Sequence, residues 1–230
     1  MPFLFSTLQM IAQGGAATFE FTENKGQWEK QIRFKSSVST GAFFLQQNGF
    51  TVLQHNGDDL NRFFDRNHEG EQHTDNSHIR LSRPDRGPEG KPNPPNDGPP
   101  VIRSHAYRVQ FAGANENCLV IPEKPVPTNT SYFIGNDPSK WAQDVPVYQA
   151  IVYKDIYPNI DIRYYSENGQ LKYDLVIHPG GDVSKIAMQY DGPDKLLIRN
   201  KELIIKTSVG DLKELYPYSY QFDMTSGKKK

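Results

Sequence analysis

The stretch that decides the fold is Ile151 to Pro179, IVYKDIYPNIDIRYYSENGQLKYDLVIHP, the densest apolar and aromatic run in the chain. At its centre stands Asn168-Gly169, the strongest short-range hairpin signal, because a type I′ turn needs positive φ at both central residues. With those two residues as the loop, Ser166 faces Leu171, Tyr164 faces Tyr173, Ile162 faces Leu175 and Ile160 faces Ile177. Side chains alternate along a strand, so these pairs share one face, the core face. On the other face Arg163 lies opposite Asp174, which predicts a cross-strand ion pair of roughly 0.2–1 kcal/mol. Sliding the register by one residue would set Ile against Asp and strip the core face of its apolar set.

Working outward, the flanking segments repeat the same grammar. Ile32 to Ser36, Ala42 to Gln47 and Phe50 to His55 read as strands, with Gly41 and Asn48-Gly49 as turns, the latter another type I′ candidate. Phe43, Leu45 and Val52 on one face, with Phe44 and Leu53 on the other, predict burial on both sides. His105, Tyr107, Val109 and Phe111 alternate as a further strand. Cys118 to Ile121 predicts a short strand closed by Pro122. Between Pro122 and Trp141 the chain is irregular, but Tyr132, Phe133, Ile134 and Trp141 are expected to pack on a sheet. Beyond Pro179-Gly180-Gly181-Asp182, a strand over Ile186 to Tyr190 and a hairpin turning near Asn200 lead to a last strand, opened by Tyr216-Pro217-Tyr218 and running through Phe222. No segment longer than about ten residues carries helical periodicity, so the class is all-β, an antiparallel β-sandwich-like module built of hairpins.

The 230 residues divide into four parts. Residues 1–17, a short apolar run and then small residues without charge, resemble a signal peptide lacking its basic n-region. Residues 18–64 form a β-hairpin segment. Residues 65–100 hold seven prolines and many charges, with Ile79 and Leu81 the large aliphatics, and are expected to be a disordered insert. Residues 101–230 form the main β region. Charge is nearly balanced, 26 basic against 27 acidic, which gives no reason to expect nucleic acid as a partner; Lys228-Lys229-Lys230 is too short for a binding patch. No run approaches the ~18 apolar residues of a membrane span.

Candidate chemistry is sparse. Cys118 lies in an apolar stretch without a basic neighbour and reads as a small buried hydrophobe. His68, His73 and His78 recur every five residues in the flexible insert, a spacing that converges on neither a helix nor a strand, so no metal site is assigned. Asp182, after two glycines, reads as an Asx turn and not a calcium loop. Asp161 and Asp174 are diagonal neighbours on the outer face of the central hairpin, roughly 7–8 Å apart by sheet geometry, near what an inverting glycosidase requires. Arg163 between them would hold both ionised, and a general acid needs a raised pKa. G-x-S-x-G, H-E-x-x-H and P-loop motifs are missing. The tyrosines 148, 153, 157, 164, 165 and 173 invite a carbohydrate platform, but parity turns Tyr164 and Tyr173 inward and leaves Tyr165 outward, beside Lys172. No catalytic, cofactor-binding or metal-binding residue is therefore assigned, and no cofactor is expected. Asn129-Thr130-Ser131 fits a glycosylation sequon.

Five separated blocks carry a resemblance: FTENKGQW (21–28), HAYRVQFAGAN (105–115), SYFIGNDPSKWAQDVPVYQAIVYKDIYPNIDIRYY (131–165), LKYDLVIHPGGDVSKI (171–186) and KTSVGDLKELYPYSYQ (206–221). Together they resemble an uncharacterised β-rich domain near the N-terminus of large secreted and cell-surface bacterial proteins. In that family it often precedes SBBP-type β-propeller repeats, or PKD-like domains with a sorting tail used by gliding bacteria. The resemblance implies location and architecture, with no catalytic residue to carry over. It implies a non-catalytic structural or adhesive module, secreted or cell-surface, partnered by neighbouring domains of the same polypeptide. The alternative is a module that binds cell-surface glycan, with a glycan-processing enzyme further off. It also implies a further hairpin after Gln221, so the chain is expected to be truncated at its C-terminal end, leaving an open sheet edge.

Overall fold

A computed structural model describes residues 3–6, 19–38, 40–69, 101–223 and 228–229. In chain order the first strands are β1 (Phe3–Ser6), β2 (Phe21–Glu23), β3 (Phe34–Val38), β4 (Gly41–Leu45) and β5 (Gly49–His55). Helix α1 (Gly57–Glu69) follows, then β6 (Ser104–Phe111), β7 (Leu119–Pro125), β8 (Thr130–Tyr132) and β9 (Ala142–Val145). The long strands β10 (Val147–Tyr157), β11 (Ile160–Glu167) and β12 (Gln170–Ile177) form the centre. Then come β13 (Met188–Asp191), β14 (Lys195–Arg199), β15 (Glu202–Thr207), β16 (Gly210–Glu214), β17 (Tyr218–Asp223) and β18 (Lys228–Lys229).

The fold is all-β. One antiparallel sheet runs β13-β6-β5-β4-β3-β2-β10-β11-β12-β1-β17-β18, with β7 branching onto β10; β14-β15-β16 and β8-β9 form two small sheets. The sheet curls until its arms face each other. Phe43 on β4 and Phe50 on β5 meet Tyr164 of β11 at ring-centroid distances of 5.9 and 6.2 Å, and Phe50 meets Tyr173 of β12 at 6.4 Å. Offset and edge-on aromatic pairs of this kind add about 0.5–1.5 kcal/mol each beyond the area they bury.

The central hairpin has the register its turn dictates: Ser166↔Leu171, Tyr164↔Tyr173, Ile162↔Leu175 and Ile160↔Ile177. Asn168 and Gly169 have φ of 54° and 70°, both in the left-handed region. Ile160, Ile162, Tyr164, Leu171, Tyr173 and Ile177 are all buried in the core. The Asn200-Lys201 turn works the same way, with φ of 52° and 65° between β14 and β15. Arg163 and Asp174 are cross-strand partners, but the predicted ion pair does not form. The Arg163 guanidinium instead bonds Glu123 on β7 at 2.9 Å and stacks 4.9 Å from the Tyr165 ring. A third strand beside β10 supplies a second carboxylate that sequence pairing alone does not place there.

Other expectations are corrected. Asn48-Gly49 does join two strands, but neither residue has positive φ, so the turn is not type I′. Gly49 is needed for a different reason: a Cβ there would stand 2.1 Å from the Val109 carbonyl oxygen on β6. The β4–β5 hairpin is fully buried on one face (Phe43, Leu45, Phe50, Val52), while Phe44 and Leu53 on the other are half-buried. Pro122 does not end β7, which runs on to Pro125; β7 pairs only with β10 among the described residues, and such an edge tolerates prolines. Phe133, Ile134 and Trp141 are exposed and do not pack on a sheet. Phe133 and Trp141 pack edge to face at 5.7 Å, and the Trp141 indole N–H donates to the Gly135 carbonyl at 3.2 Å.

The absence of helix is also corrected. Asn56 accepts from the Asp59 N–H through its side chain and from the Leu60 N–H through its carbonyl, capping α1, with Asp58 and Asp59 in the first turn. Helix α1 is held by a salt link. Buried Asp59 accepts from the Arg103 guanidinium (2.7 and 3.0 Å), the Arg103 backbone N–H (3.0 Å) and Arg62. Residues 65–69, placed in the disordered insert, thus belong to the helix; residues 70–100 lie outside the described residues. Of the leader, Phe3–Ser6 forms β1 between β12 and β17; the rest lies outside the described residues.

Candidate functional site

The outer face of the central hairpin is where the sequence makes its best case for paired carboxylates. A bulge in β10 between Tyr153 and Tyr157 sets Asp155 at φ 51° and turns its N–H onto Asp161, 2.9 Å away. Lys154 Nζ and His178 Nε2 reach the other oxygen at 2.5 and 2.8 Å. Burial would push the Asp161 carboxyl up, but the hydrogen bonds from Lys154, His178 and Asp155 outweigh it and hold it below the ordinary carboxylate range. Asp174, also buried, accepts from the Tyr165 hydroxyl at 3.2 Å. Asp161 is a fixed anion tying two strands and a turn together, not a proton donor. Among the described residues no hydroxyl or thiol bonds to His178, so the Asp161–His178 contact does not extend to a nucleophile.

The remaining sequence candidates resolve in structural terms. The Cys118 thiol is buried against Gln47 and burial pushes it up, away from a reactive thiolate. Asp182 accepts from the Ser184 N–H at 3.0 Å and its hydroxyl at 2.7 Å, an Asx turn. The side chain of His68 on α1, and all of His73 and His78, lie outside the described residues. The FTENKGQW block is a stapled loop: the Asn24 side chain donates to the carbonyls of Trp28, Glu29 and Ile32 and accepts from the N–H of Gly26 and Trp28. Of the six tyrosines weighed as a platform, 153, 157, 164 and 173 are buried, and 148 and 165 are half-buried.

A different site emerges where the small sheet β14-β15-β16 lies beside β12 and β13. His105 on β6 bonds Gly192 O at 2.9 Å through Nε2 and accepts the Ser208 N–H at 3.2 Å through Nδ1. Gln54 on β5 accepts from the Thr207 hydroxyl at 3.1 Å. These contacts fix one end of the small sheet to β5 and β6. Beyond them opens a cleft of about 520 Å³, lined by Leu175, Val183, Ile186, Met188, Ile198 and Leu203 among others. Glu214 is the acidic residue in its wall.

Glu214 arrives there by strand parity. On β16, Leu212 and Glu214 share the inward face while Asp211 and Lys213 face water, so the strand delivers a carboxyl where an aliphatic would be ordinary. Its side chain is buried, and the Tyr190 hydroxyl donates to it at 2.8 Å. Desolvation pushes its pKa up to about 7, with hydrogen bonds from Tyr190 and Tyr173 pulling the other way. The group is a carboxyl in an apolar wall with its pKa raised toward neutrality, placed to anchor a cation or accept a proton. The sequence signal was present, an acid in register with Leu212, but it reads equally well as a solvated turn.

A family model described as a domain of unknown function (DUF7948) matches residues 21–230. No curated protein and no solved structure matches the chain.

Proposed function

This chain belongs to that family of domains of unknown function, and on that footing we propose that it is a non-catalytic structural or adhesive module of a secreted or cell-surface bacterial multidomain protein. The observation that carries the reading is the fate of the outer hairpin face. Its carboxylates are consumed in structural contacts, Asp161 by Lys154, His178 and Asp155, and Asp174 by Tyr165. The tyrosines that sequence offered as a platform turn mostly into the core. What is left is a curled sheet suited to spacing or presenting a neighbour such as an SBBP-type propeller or a PKD-like domain. That context comes from the five-block resemblance, and fold alone carries no function.

A glycan-binding reading draws on one observation. Tyr216 and Tyr218 are exposed at alternate positions, followed by half-buried Tyr220, and the rings of Tyr218 and Tyr220 stand 5.9 Å apart at a 35° tilt. A pull-down on insoluble polysaccharides together with a glycan array separates the two. No retention on any glycan is the expected result. Retention that Tyr218→Ala abolishes would replace the structural role with the glycan-binding one.

A further inference from the structure

We propose that the cleft between β12–β13 and the small sheet is a binding site for a small hydrophobic amine. Its ammonium would pair with the Glu214 carboxylate while its hydrocarbon lies against Leu175, Ile186, Met188, Ile198 and Leu203. Three observations converge. The first is shape: about 520 Å³ is within the range of small-molecule sites, and the wall is aliphatic with a few convergent polar groups. The second is the rim. Ile198 is 82% exposed and Val183 50% exposed, so the rim presents apolar surface to water.

The third is charge. Glu214 is 6% exposed, and no lysine, arginine or histidine pairs with it among the described residues. Its hydrogen-bond partners are tyrosine hydroxyls, which are neutral. A buried carboxylate without a counter-charge is costly, and a cation brought by a ligand relieves that cost. Lys201 stands at the cleft, but its ammonium lies 5.2 Å over the Tyr216 ring. A neutral alcohol would gain the apolar contact without the charge, and a carboxylate ligand would set like charges together. The amine is the class that uses both halves of the site.

The groups facing Glu214 are Tyr173 from β12, Tyr190 from β13, Tyr107 from β6 and Tyr164 from β11, with Lys201 at the rim. Burial pushes the Tyr107, Tyr164 and Tyr190 hydroxyls up, so they stay protonated and Glu214 is the member that titrates near neutrality. Amine binding should therefore be flat from about pH 8 until the amine itself deprotonates at pH ~10, and weaken by about tenfold per pH unit once Glu214 protonates.

The test uses octylamine, octanol and octanoate, titrated into the whole chain and followed by amide NMR. At pH 8 octylamine is expected to bind about tenfold or more tighter than octanol or octanoate, with shifts centred on Leu175, Met188, Leu203 and Glu214. Folded Glu214→Gln should bind amine and alcohol alike, and Val183→Trp at the mouth should weaken every probe. Equal affinities for octylamine and octanoate, amine preference surviving in Glu214→Gln, or shifts centred elsewhere would each overturn the proposal. If Glu214→Gln does not fold, the pH series on the unaltered chain decides: affinity that does not fall between pH 7 and pH 5 overturns it.

Discussion

Replacing Glu214 with glutamine should make the protein more stable at pH 8 and leave it no better at pH 4. The folded-state pKa of Glu214 is raised from 4.5 to about 7 by desolvation. Below 4.5 the carboxyl is protonated both folded and unfolded, so it costs nothing. Between 4.5 and 7 the folded state holds a proton the unfolded state has released, and stability falls as pH rises; above 7 the whole penalty is present. At ~1.4 kcal/mol per pH unit, that interval corresponds to about 3 kcal/mol. Glutamine carries no charge and keeps an oxygen that can accept the Tyr190 hydroxyl. Urea unfolding of both proteins at pH 4, 6 and 8 measures the difference. The gap between the variant and the parent should open by about 3 kcal/mol across that range. Parallel stability curves would refute the reasoning, because they would mean Glu214 titrates alike folded and unfolded. Asp59 and Asp161, both held below their ordinary range, impose the opposite slope at lower pH, but they cancel in the comparison.

Three further outcomes follow from the packing. Gly49→Ala should cost about 1–3 kcal/mol in urea unfolding, because its Cβ meets the Val109 carbonyl, while Asn48→Ala should stay within about 0.5 kcal/mol. Asp59→Ala should reduce the circular-dichroism signal at helical wavelengths and speed amide exchange over residues 57–69 while the sheet amides stay protected; in the parent, the same loosening should appear as acid protonates Asp59. Tyr153→Phe should be neutral or stabilising, since the Tyr153 hydroxyl is buried without a partner among the described residues, whereas Ile162→Ala should cost about 2–5 kcal/mol.

What could be read from residues alone were the places where local chemistry and core burial agree. Asn168-Gly169 demands positive φ, the flanking apolar pairs demand one register, and the two requirements coincide. The alternation of Tyr107, Val109 and Phe111 likewise survives as a buried face. Illegible features depend on partners distant in sequence. Asn48-Gly49 looks like the same turn, but Gly49 answers to a carbonyl 60 residues away on β6. Helix α1 has a modest apolar face and owes its position to Asp59 meeting Arg103, 44 residues on. Hairpin geometry alone pairs Arg163 with its cross-strand neighbour and says nothing of Glu123 on a third strand. The Glu214 cleft is lined from one stretch, residues 173–217, but it forms only where the small sheet folds back beside β12 and β13, and no local pattern of residues dictates that docking.

Strand β7 branches from β10 and, among the described residues, ends its own row, and two of its seven residues, Pro122 and Pro125, have no N–H to offer. Pro122 and Pro125 stand three residues apart, so their nitrogens face opposite edges of the strand, and another chain seeking to extend the ladder there would meet one missing rung. A residue that interrupts the pattern on paper thus makes that side of β7 a poorer template for a second copy's strand.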